Sequence, residues 1–266
     1  MYSREDILRA LDEVELPEGC SVFLTAGVGF LGPYLDEDPF EDLATAILQR
    51  LGKLGTLVVP SYSYTFGKRK STEEDLPRFN VQNTRSDLGR FSEWFRKSVA
   101  SDRSRDPMVS VAMFGHRASL LAKDLPATSY GHGSIFERLL TEDCFVLNVG
   151  LGVKWTPFIH YVDFLCDVPH RYPKIFTGVI ENETSSYICN WTYHVPYRCA
   201  NARGLGEANG LAALDAGIWR FAPLGRARVF LSSYREYFDF TLERTRRDPW
   251  NLAVGPPVEL ARLDRE

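Results

Sequence analysis

The sequence predicts an α/β fold in which a three-layer mixed sheet is flanked by helices and an antiparallel β-rich lobe lies in the second half. Short apolar runs, such as SVFLTA at residues 21–26 and FVLNV at residues 145–149, alternate with helical segments, a pattern typical of strands buried on both faces. Residues 172–200 are instead rich in aromatic residues, which predicts the separate lobe. We expect residues 1–266 to form a single domain.

The first half of the chain predicts helices and strands in alternation. Residues 1–14 fit a helix because Ser3 is a suitable cap and apolar residues recur at helical spacing from Ile7 onward. Further helices are predicted over residues 41–54, 86–97 (capped by Ser86), 117–123 and from residue 133, and strands over residues 55–64, 108–114 and 145–152. Residues 65–85 are polar and charged, and we expect a loop at the edge of a site, with a solvated linker as the alternative.

The second half predicts a hairpin followed by further helices. Polar residues alternate with apolar and aromatic residues over positions 176–195, and the sequence ENET within this segment is a turn signal. A helix over residues 205–218 and a strand over residues 227–234 follow, and a last helix over residues 233–249 ends at Pro249.

Composition excludes several classes of protein. The net charge of −4 provides no basic footprint for nucleic acid, and no apolar run is long enough to span a membrane. The N-terminus is amphipathic with early acidic residues, unlike a secretory signal. The five cysteines include no CxxC pair, which favours free thiols in a reducing cytoplasm over a disulfide or metal framework.

His160 and Asp163 are the most informative pair of residues. On a helix their spacing places them on one face, where the carboxylate can orient the imidazole. A neutral histidine held in this way can act as a general base, although a histidine packed in the core fits the same spacing. A metal site would require a second cluster of ligands, and the sequence supplies none.

Three further segments have features of anion or ligand sites. The Gly-rich turn at residues 150–155, which includes Gly152, leads into a helix that we expect to begin near Thr156, and it would expose backbone N–H groups to an anion. It lacks the third glycine of a dinucleotide fingerprint. Arg103 and Ser104 precede a strand and suit phosphate groups, with a solvated turn as the alternative. Ser61 follows a buried strand, where open α/β sheets bind ligands.

The order of these motifs resembles the aminoglycoside 3-N-acetyltransferase family. The resemblance extends from about residue 21 to residue 178 through GTLVVPSYSYTF, SDLGRFSEWFRK, RSRDPMVSVAMFGHRA, YGHGSIFERLL, VLNVGLGVKWTPFIHYVDF and VPHRYPKIFTG. It implies acyl transfer from an acyl-coenzyme A thioester to a sugar amine without a covalent enzyme intermediate. The family also includes relatives that acylate amino sugars during cell-surface glycan synthesis.

The resemblance implies roles for individual residues. His160 matches the catalytic histidine that takes a proton from the amine, Asp163 matches the acidic residue that orients it, and Thr156 matches a hydroxyl near the thioester carbonyl. Arg103 and Ser104 match an Arg-Ser pair near the cofactor.

Two positions depart from the family pattern. Thr25, Ala26 and Gly27 replace a His-Ser-Ser sequence in a loop that lines the cofactor cleft in relatives, so we expect Gly27 and Val28 to contact coenzyme A. Asp106 replaces the family's histidine after the Arg-Ser pair.

We expect a coenzyme A-dependent N-acyltransferase that acts on an amino sugar, with a nucleotide-linked sugar preferred and an aminoglycoside as the alternative. The preference rests on basic residues between positions 68 and 85, which suit a diphosphate better than a polycation. A serine hydrolase would require a GxSxG elbow, which is absent from the sequence. A catalytically inactive binding protein and a homo-oligomer both stay open.

Overall fold

A seven-stranded mixed sheet forms the centre of the protein in the computed structural model, which describes residues 1–68, 75–154, 156 and 158–259. The strands are β1 (Ser21–Ala26), β2 (Thr56–Pro60), β3 (Arg78–Asn80), β4 (Asp102–Arg103), β5 (Val111–Gly115), β6 (Phe145–Val149), β7 (Arg171–Glu181), β8 (Ser186–Pro196), β9 (Arg220–Leu224) and β10 (Ala227–Ser233). The helices are α1 (Arg4–Glu13), α2 (Pro39–Leu51), α3 (Arg90–Ser98), α4 (Ala118–Ala122), α5 (Ile135–Thr141), α6 (Ile159–Leu165), α7 (Gly206–Asp215) and α8 (Tyr234–Arg247). Single 3₁₀ turns occupy Val28–Leu31 and Thr65–Gly67.

The order of strands in the large sheet is β4-β5-β2-β1-β6-β10-β9. β1 pairs in parallel with β2 and with β6, whereas β5 and β10 join on either side as antiparallel neighbours. The carboxyl ends of β1, β2 and β6 therefore meet at one edge, which is where open α/β sheets bind ligands.

Helices cover both faces of this sheet, and the predicted three-layer architecture is confirmed. Alternate side chains of β1 enter two different cores, because Val22 and Leu24 point to one face and Phe23 to the other. The first core contains residues of α1, α2 and α3, and the second contains residues of α4, α5, α6 and α8.

The antiparallel hairpin in the second half is also confirmed. β7 and β8 pair from Arg171↔Pro196 to Glu181↔Ser186, and the Asn182 side chain accepts hydrogen bonds from the turn that joins them. β3 adds a third strand, parallel to β7. Trp191 of β8 is buried and donates its indole N–H to Ser129, which fastens this small sheet to the rest of the protein.

Some predicted boundaries were wrong for identifiable reasons. Ser86 does not cap a helix, because α3 begins after Gly89, while Ser86 accepts a hydrogen bond from Leu88 and donates its backbone N–H to Glu93. The helix expected near Thr156 begins at Ile159. Part of the segment expected to be a loop over residues 65–85 forms β3, and residues 69–74 lie outside the described residues.

Among the described residues, no helix has both the length and the apolar character that a membrane span requires.

Asp106 is a buried carboxylate in the turn before β5. Its Oδ1 atom accepts hydrogen bonds from the backbone N–H groups of Met108 and Val109, at 2.7 and 2.9 Å. The residue is only 3% exposed, and this burial raises the pKa of the carboxyl to about 6 despite those hydrogen bonds. The charged form therefore destabilises the folded protein at neutral pH.

We predict that Asp106→Asn raises the free energy of unfolding near pH 7, because asparagine retains the acceptor oxygen without the charge. Because the pKa of Asp106 is higher in the folded state, the contribution of this carboxyl to wild-type stability is fully present below about pH 4 and is lost as the pH rises through about 6. The difference in free energy of unfolding between Asp106→Asn and wild type should increase by on the order of 2 to 3 kcal/mol between about pH 4 and pH 8. Urea unfolding from pH 4 to 8 measures it, with the exposed Asp239→Asn as control, and a pH-independent difference would refute it.

Candidate active site

His160 and Asp163 lie on one face of α6, at the carboxyl edge of the central sheet. The Nδ1 atom of His160 is 2.9 Å from the Oδ2 atom of Asp163. The histidine side chain is 22% exposed, whereas the aspartate side chain is 1% exposed. If Nδ1 donates to the carboxylate, the neutral ring keeps a lone pair on Nε2, the nitrogen that a general base requires.

Two more residues approach the Asp163 carboxylate from the hairpin side. The Nε atom of Arg171 lies 2.9 Å from Oδ2 in an ion pair, and Nε2 of the fully buried His170 lies 3.8 Å from Oδ1. Burial raises the pKa of Asp163, but the hydrogen bond from His160 and the charge of Arg171 outweigh burial and leave the pKa below its ordinary value. Asp163 is therefore a carboxylate at neutral pH.

The environment of His160 favours its neutral form. Burial lowers the pKa of the imidazole, and the positive charge of Arg171 lowers it further. The hydrogen bond and charge of Asp163 act in the opposite direction but do not restore the ordinary pKa. The imidazole and the ring of Tyr130 pack edge to face, with centroids 5.4 Å apart, and this contact restricts the plane of the base.

A cavity of about 350 Å³ is lined by His160 and by residues from the ends of β1 and β2, from the hairpin and from the segment before α7. Four tyrosines contribute aromatic surface: Tyr62, Tyr64, Tyr130 and Tyr193. The formally charged side chains among its described lining residues are the cations Lys154 and Arg171. The cavity thus combines a histidine base with an aromatic and cationic wall.

Thr156 lines the same cavity as His160. The residue is 2% exposed, and its hydroxyl lies 3.5 Å from the hydroxyl of Tyr237, which also accepts a hydrogen bond from Asn209. The structure brings together the three residues predicted from the sequence to act in catalysis, and their roles stay predictions.

A second and larger cavity of about 960 Å³ lies on the other side of the β1 terminus. Its lining includes Gly27 and Val28, the start of α2 and one face of α3 with Trp94. Thr25 lines the small cavity, and the next residue, Ala26, lines the large one. In the same way, Leu88 lines the small cavity and Gly89 lines the large one. The two cavities are therefore neighbours along two short backbone segments.

The glycines after β1 and β6 allow these two turns to approach closely. A Cβ atom on Gly150 would lie 2.6 Å from the carbonyl oxygen of Gly27, and Gly150 has a φ of 75°. Asn148 donates its side-chain N–H to the carbonyl of Gly152 and so holds the second turn. Gly152 itself lines neither cavity, so its predicted contact with the cofactor has no support from its position.

Arg103, Ser104 and Ser61 line neither cavity, although the neighbours of Ser61, Pro60 and Tyr62, line the small one. The Arg103 guanidinium donates to the carbonyl oxygens of Ser61, Val81 and Thr84, and the Ser104 hydroxyl accepts the backbone N–H of Val111. Ser61 and Ser104 are fully buried. These contacts join the segment after β3 to the ends of β2 and β5, and a role in cofactor binding stays a prediction without a supporting contact.

Sequence reasoning missed Arg171 as a residue of the His160 cavity, because Arg171 follows Asp163 at no spacing that indicates contact. For Tyr193 the aromatic-rich sequence left both core packing and a place in the acceptor pocket open, and Tyr193 lines the cavity. No cluster of metal-binding side chains occurs among the described residues.

The structure resembles solved aminoglycoside acetyltransferases along almost its whole length. AAC(3)-Xa matches with a TM-score of 0.78 and 21% identity over 92% of each chain. AAC-IIIb in its binary complex with CoASH matches with a TM-score of 0.79 and 20% identity, over 96% of this chain and 99% of that one. Sisomicin-bound AAC-VIa matches with a TM-score of 0.80 and 17% identity, over 92% and 98%. These likenesses establish a shared fold.

Sequence comparison identifies the family. No curated protein sequence matches the chain significantly. The sequence model of the aminoglycoside 3-N-acetyltransferase family matches residues 31–246, and this confirms the predicted enzyme class and co-substrate. Because the match covers most of the chain, this protein belongs to the aminoglycoside 3-N-acetyltransferase family, and it is an acyl-coenzyme A-dependent N-acyltransferase.

Proposed function

We propose that this protein transfers an acetyl group from acetyl-coenzyme A to a primary amine of an aminoglycoside, with His160 as the general base. The observation that carries the proposal is the His160–Asp163 pair at the wall of a cavity in a member of this family. The amine attacks the thioester carbonyl carbon, a C–N bond forms, and the C–S bond breaks. The nitrogen loses one proton, and the thiolate of coenzyme A gains one.

In the proposed reaction His160 transfers this proton from the amine to the sulfur. Its neutral Nε2 accepts the proton from the attacking amine, directly or through water, and the imidazolium then protonates the departing sulfur. Asp163 holds the ring through Nδ1 and stabilises the transient imidazolium. Thr156 supplies a hydroxyl donor for the oxyanion that forms on the carbonyl.

We assign acyl-coenzyme A to the large cavity beside Gly27 and Val28. Coenzyme A carries a diphosphate and a 3′-phosphate, and the lining includes the exposed side chains of Arg85 and Arg90. Lys97 also lines the cavity but is paired with Glu93 at 3.4 Å, and Glu37 and Asp38 are further carboxylates of the lining. Trp94 and Phe40 lie 6.0 Å apart between ring centroids and provide aromatic surface for the adenine. This cavity and the His160 cavity are lined by adjacent residues at Thr25–Ala26 and at Leu88–Gly89, which would bring the pantetheine arm towards His160.

The comparisons favour an aminoglycoside as the acceptor. The matched family has aminoglycoside 3-N-acetylation as its description, and one structural relative is a complex with sisomicin. This was the alternative expectation from the sequence.

One observation favours a nucleotide-linked amino sugar as the second candidate. The charged side chains in the described lining of the His160 cavity are both cations, Lys154 and Arg171, which suit a phosphate better than a polycation. The basic residues that suggested this acceptor from sequence lie partly in positions 69–74, outside the described residues. The comparisons contain no support for a role in glycan biosynthesis.

We predict that His160→Ala and His160→Gln lower kcat by about 100-fold or more while the affinity for coenzyme A stays near that of wild type. Release of free thiol from acetyl-coenzyme A measures turnover, and calorimetry measures cofactor binding. His132→Ala is a matched control, because the His132 side chain is 75% exposed and lies outside both cavities. Near-normal turnover in the His160 variants would overturn the assignment of the base.

We predict turnover with aminoglycosides when the same thiol assay compares sisomicin and gentamicin with nucleotide-linked amino sugars. Activity with nucleotide-linked sugars alone would overturn the aminoglycoside acceptor and select the second candidate. In that case Lys154→Met should lower kcat/KM for the nucleotide sugar by about tenfold, because it removes one phosphate-binding charge. Lys53→Met, outside the cavity, is the control.

We predict that the double variant Arg85→Ala/Arg90→Ala raises KM for acetyl-coenzyme A by about tenfold or more and changes kcat little. The reason is that two charge-assisted contacts to phosphate are lost far from the reacting carbon. Steady-state kinetics at fixed acceptor concentration measure both constants. Arg220→Ala, on the edge strand β9 and paired with Glu15, is the control, and an unchanged KM in the double variant would refute this location for the cofactor.

A further inference from the structure

Arg171 contacts the same carboxylate oxygen that holds the histidine base. Its Nε atom lies 2.9 Å from Oδ2 of Asp163, the atom that is also 2.9 Å from Nδ1 of His160. The guanidinium is anchored on its other side, where Nη1 donates to the backbone carbonyl of His194 in β8 at 2.9 Å. The Arg171 side chain is 7% exposed, so its charge acts in a poorly solvated environment.

The remaining ionisable groups around His160 do not compete with this charge. Burial holds the pKa of Tyr130 and of Tyr193 above the ordinary value, so both phenols are neutral over the working range. Burial lowers the pKa of His170 and of His194, and Arg171 contributes to both shifts.

The formal charges that face His160 are therefore few. They are the negative charge of Asp163 on its own helix, the positive charge of Arg171 on β7, and Lys154 in the cavity wall.

Arg171 changes what the histidine–carboxylate pair can do. A carboxylate alone raises the pKa of its histidine partner and favours the imidazolium, which is not a base. When a cation neutralises the carboxylate, the carboxylate still fixes the ring and the tautomer, but its electrostatic pull on a proton is reduced. The lowered pKa of His160 agrees with this arrangement.

We propose that Arg171 is a positioning residue that neutralises Asp163 and thereby keeps His160 in its uncharged, basic form under mildly acidic conditions. This inference rests on the proposed role of His160 as the general base.

The test compares pH profiles of kcat/KM for wild type, Arg171→Gln and Arg171→Lys. The value of kcat/KM should rise with pH as the base loses its proton. The midpoint of this rise gives the pKa of the base in the free enzyme. Arg171→Gln should move the midpoint to higher pH by about 0.5 to 1 unit, because the pull of Asp163 is no longer balanced. Arg171→Lys keeps the positive charge and should keep a midpoint near that of wild type.

Asp163→Asn should shift the midpoint of the pH profile in the opposite direction. This variant leaves the charge of Arg171 uncompensated, so the midpoint should move to lower pH while kcat falls through loss of orientation. A purely structural role for Arg171 would lower kcat at every pH and leave the midpoint of Arg171→Gln unchanged, whereas Asp163→Asn lowers the midpoint in either case. An unshifted or lowered midpoint in Arg171→Gln would overturn the inference.

Direct titration of the His160 imidazole by NMR gives a readout that does not require turnover. The resonance is assigned by its absence in His160→Ala, and its midpoint should follow the same order: Asp163→Asn below wild type, and Arg171→Gln above it. If Arg171→Gln does not fold, the double variant Asp163→Asn/Arg171→Gln is compared with Asp163→Asn: loss of the guanidinium charge should raise the midpoint, and equal midpoints would refute the inference. Active His160→Ala with the expected NMR shifts would reject the base assignment while retaining the electrostatic effect of Arg171.

Discussion

The parallel pairing of β1 with both β2 and β6 is the constraint on which the rest of the structure depends. It brings three carboxyl ends to one edge of the sheet, so the turn after β1, the segment after β2 and the start of α6 become neighbours. The turns after β1 and β6 then approach so closely that Gly150 has no room for a side chain. Both cavities are lined by the chain just beyond these strands, and a shifted register would displace their walls together.

Much of this framework could be predicted from the sequence, because local patterns determine it. Continuous apolar runs predicted the buried strands, and the capping residue Ser3 predicted the start of α1. The His160–Asp163 contact followed from helical spacing alone, although the helix begins at Ile159 rather than near Thr156. Two residues that are three positions apart in a helix lie on one face, wherever the helix begins.

The remainder depends on contacts between distant segments, which leave no local pattern. Arg171 reaches Asp163 because a hairpin folds back over α6, and nothing in the sequence VPHRYPK indicates that approach. Arg103 shows that residue type alone does not determine which partner a side chain has. An Arg-Ser pair suits phosphate, but in the fold its donors are used by backbone carbonyls at the ends of other strands. The residue type therefore indicated the chemistry available, whereas the tertiary structure decided how it is used.

In the proposed reaction the acceptor amine enters the His160 cavity, and the charges of that cavity impose a requirement on the acceptor. An ammonium group must lose a proton before it can attack a thioester, and a nearby cation lowers the pKa of such an amine. Lys154 would thus favour the neutral, nucleophilic form of the amine in the cavity that also keeps His160 neutral. The same charge opposes the entry of a polycation, whereas the charge of Arg171 is compensated by its ion pair with Asp163. In the proposed reaction the other ammonium groups of an aminoglycoside therefore extend away from Lys154, towards solvent or towards carboxylates elsewhere.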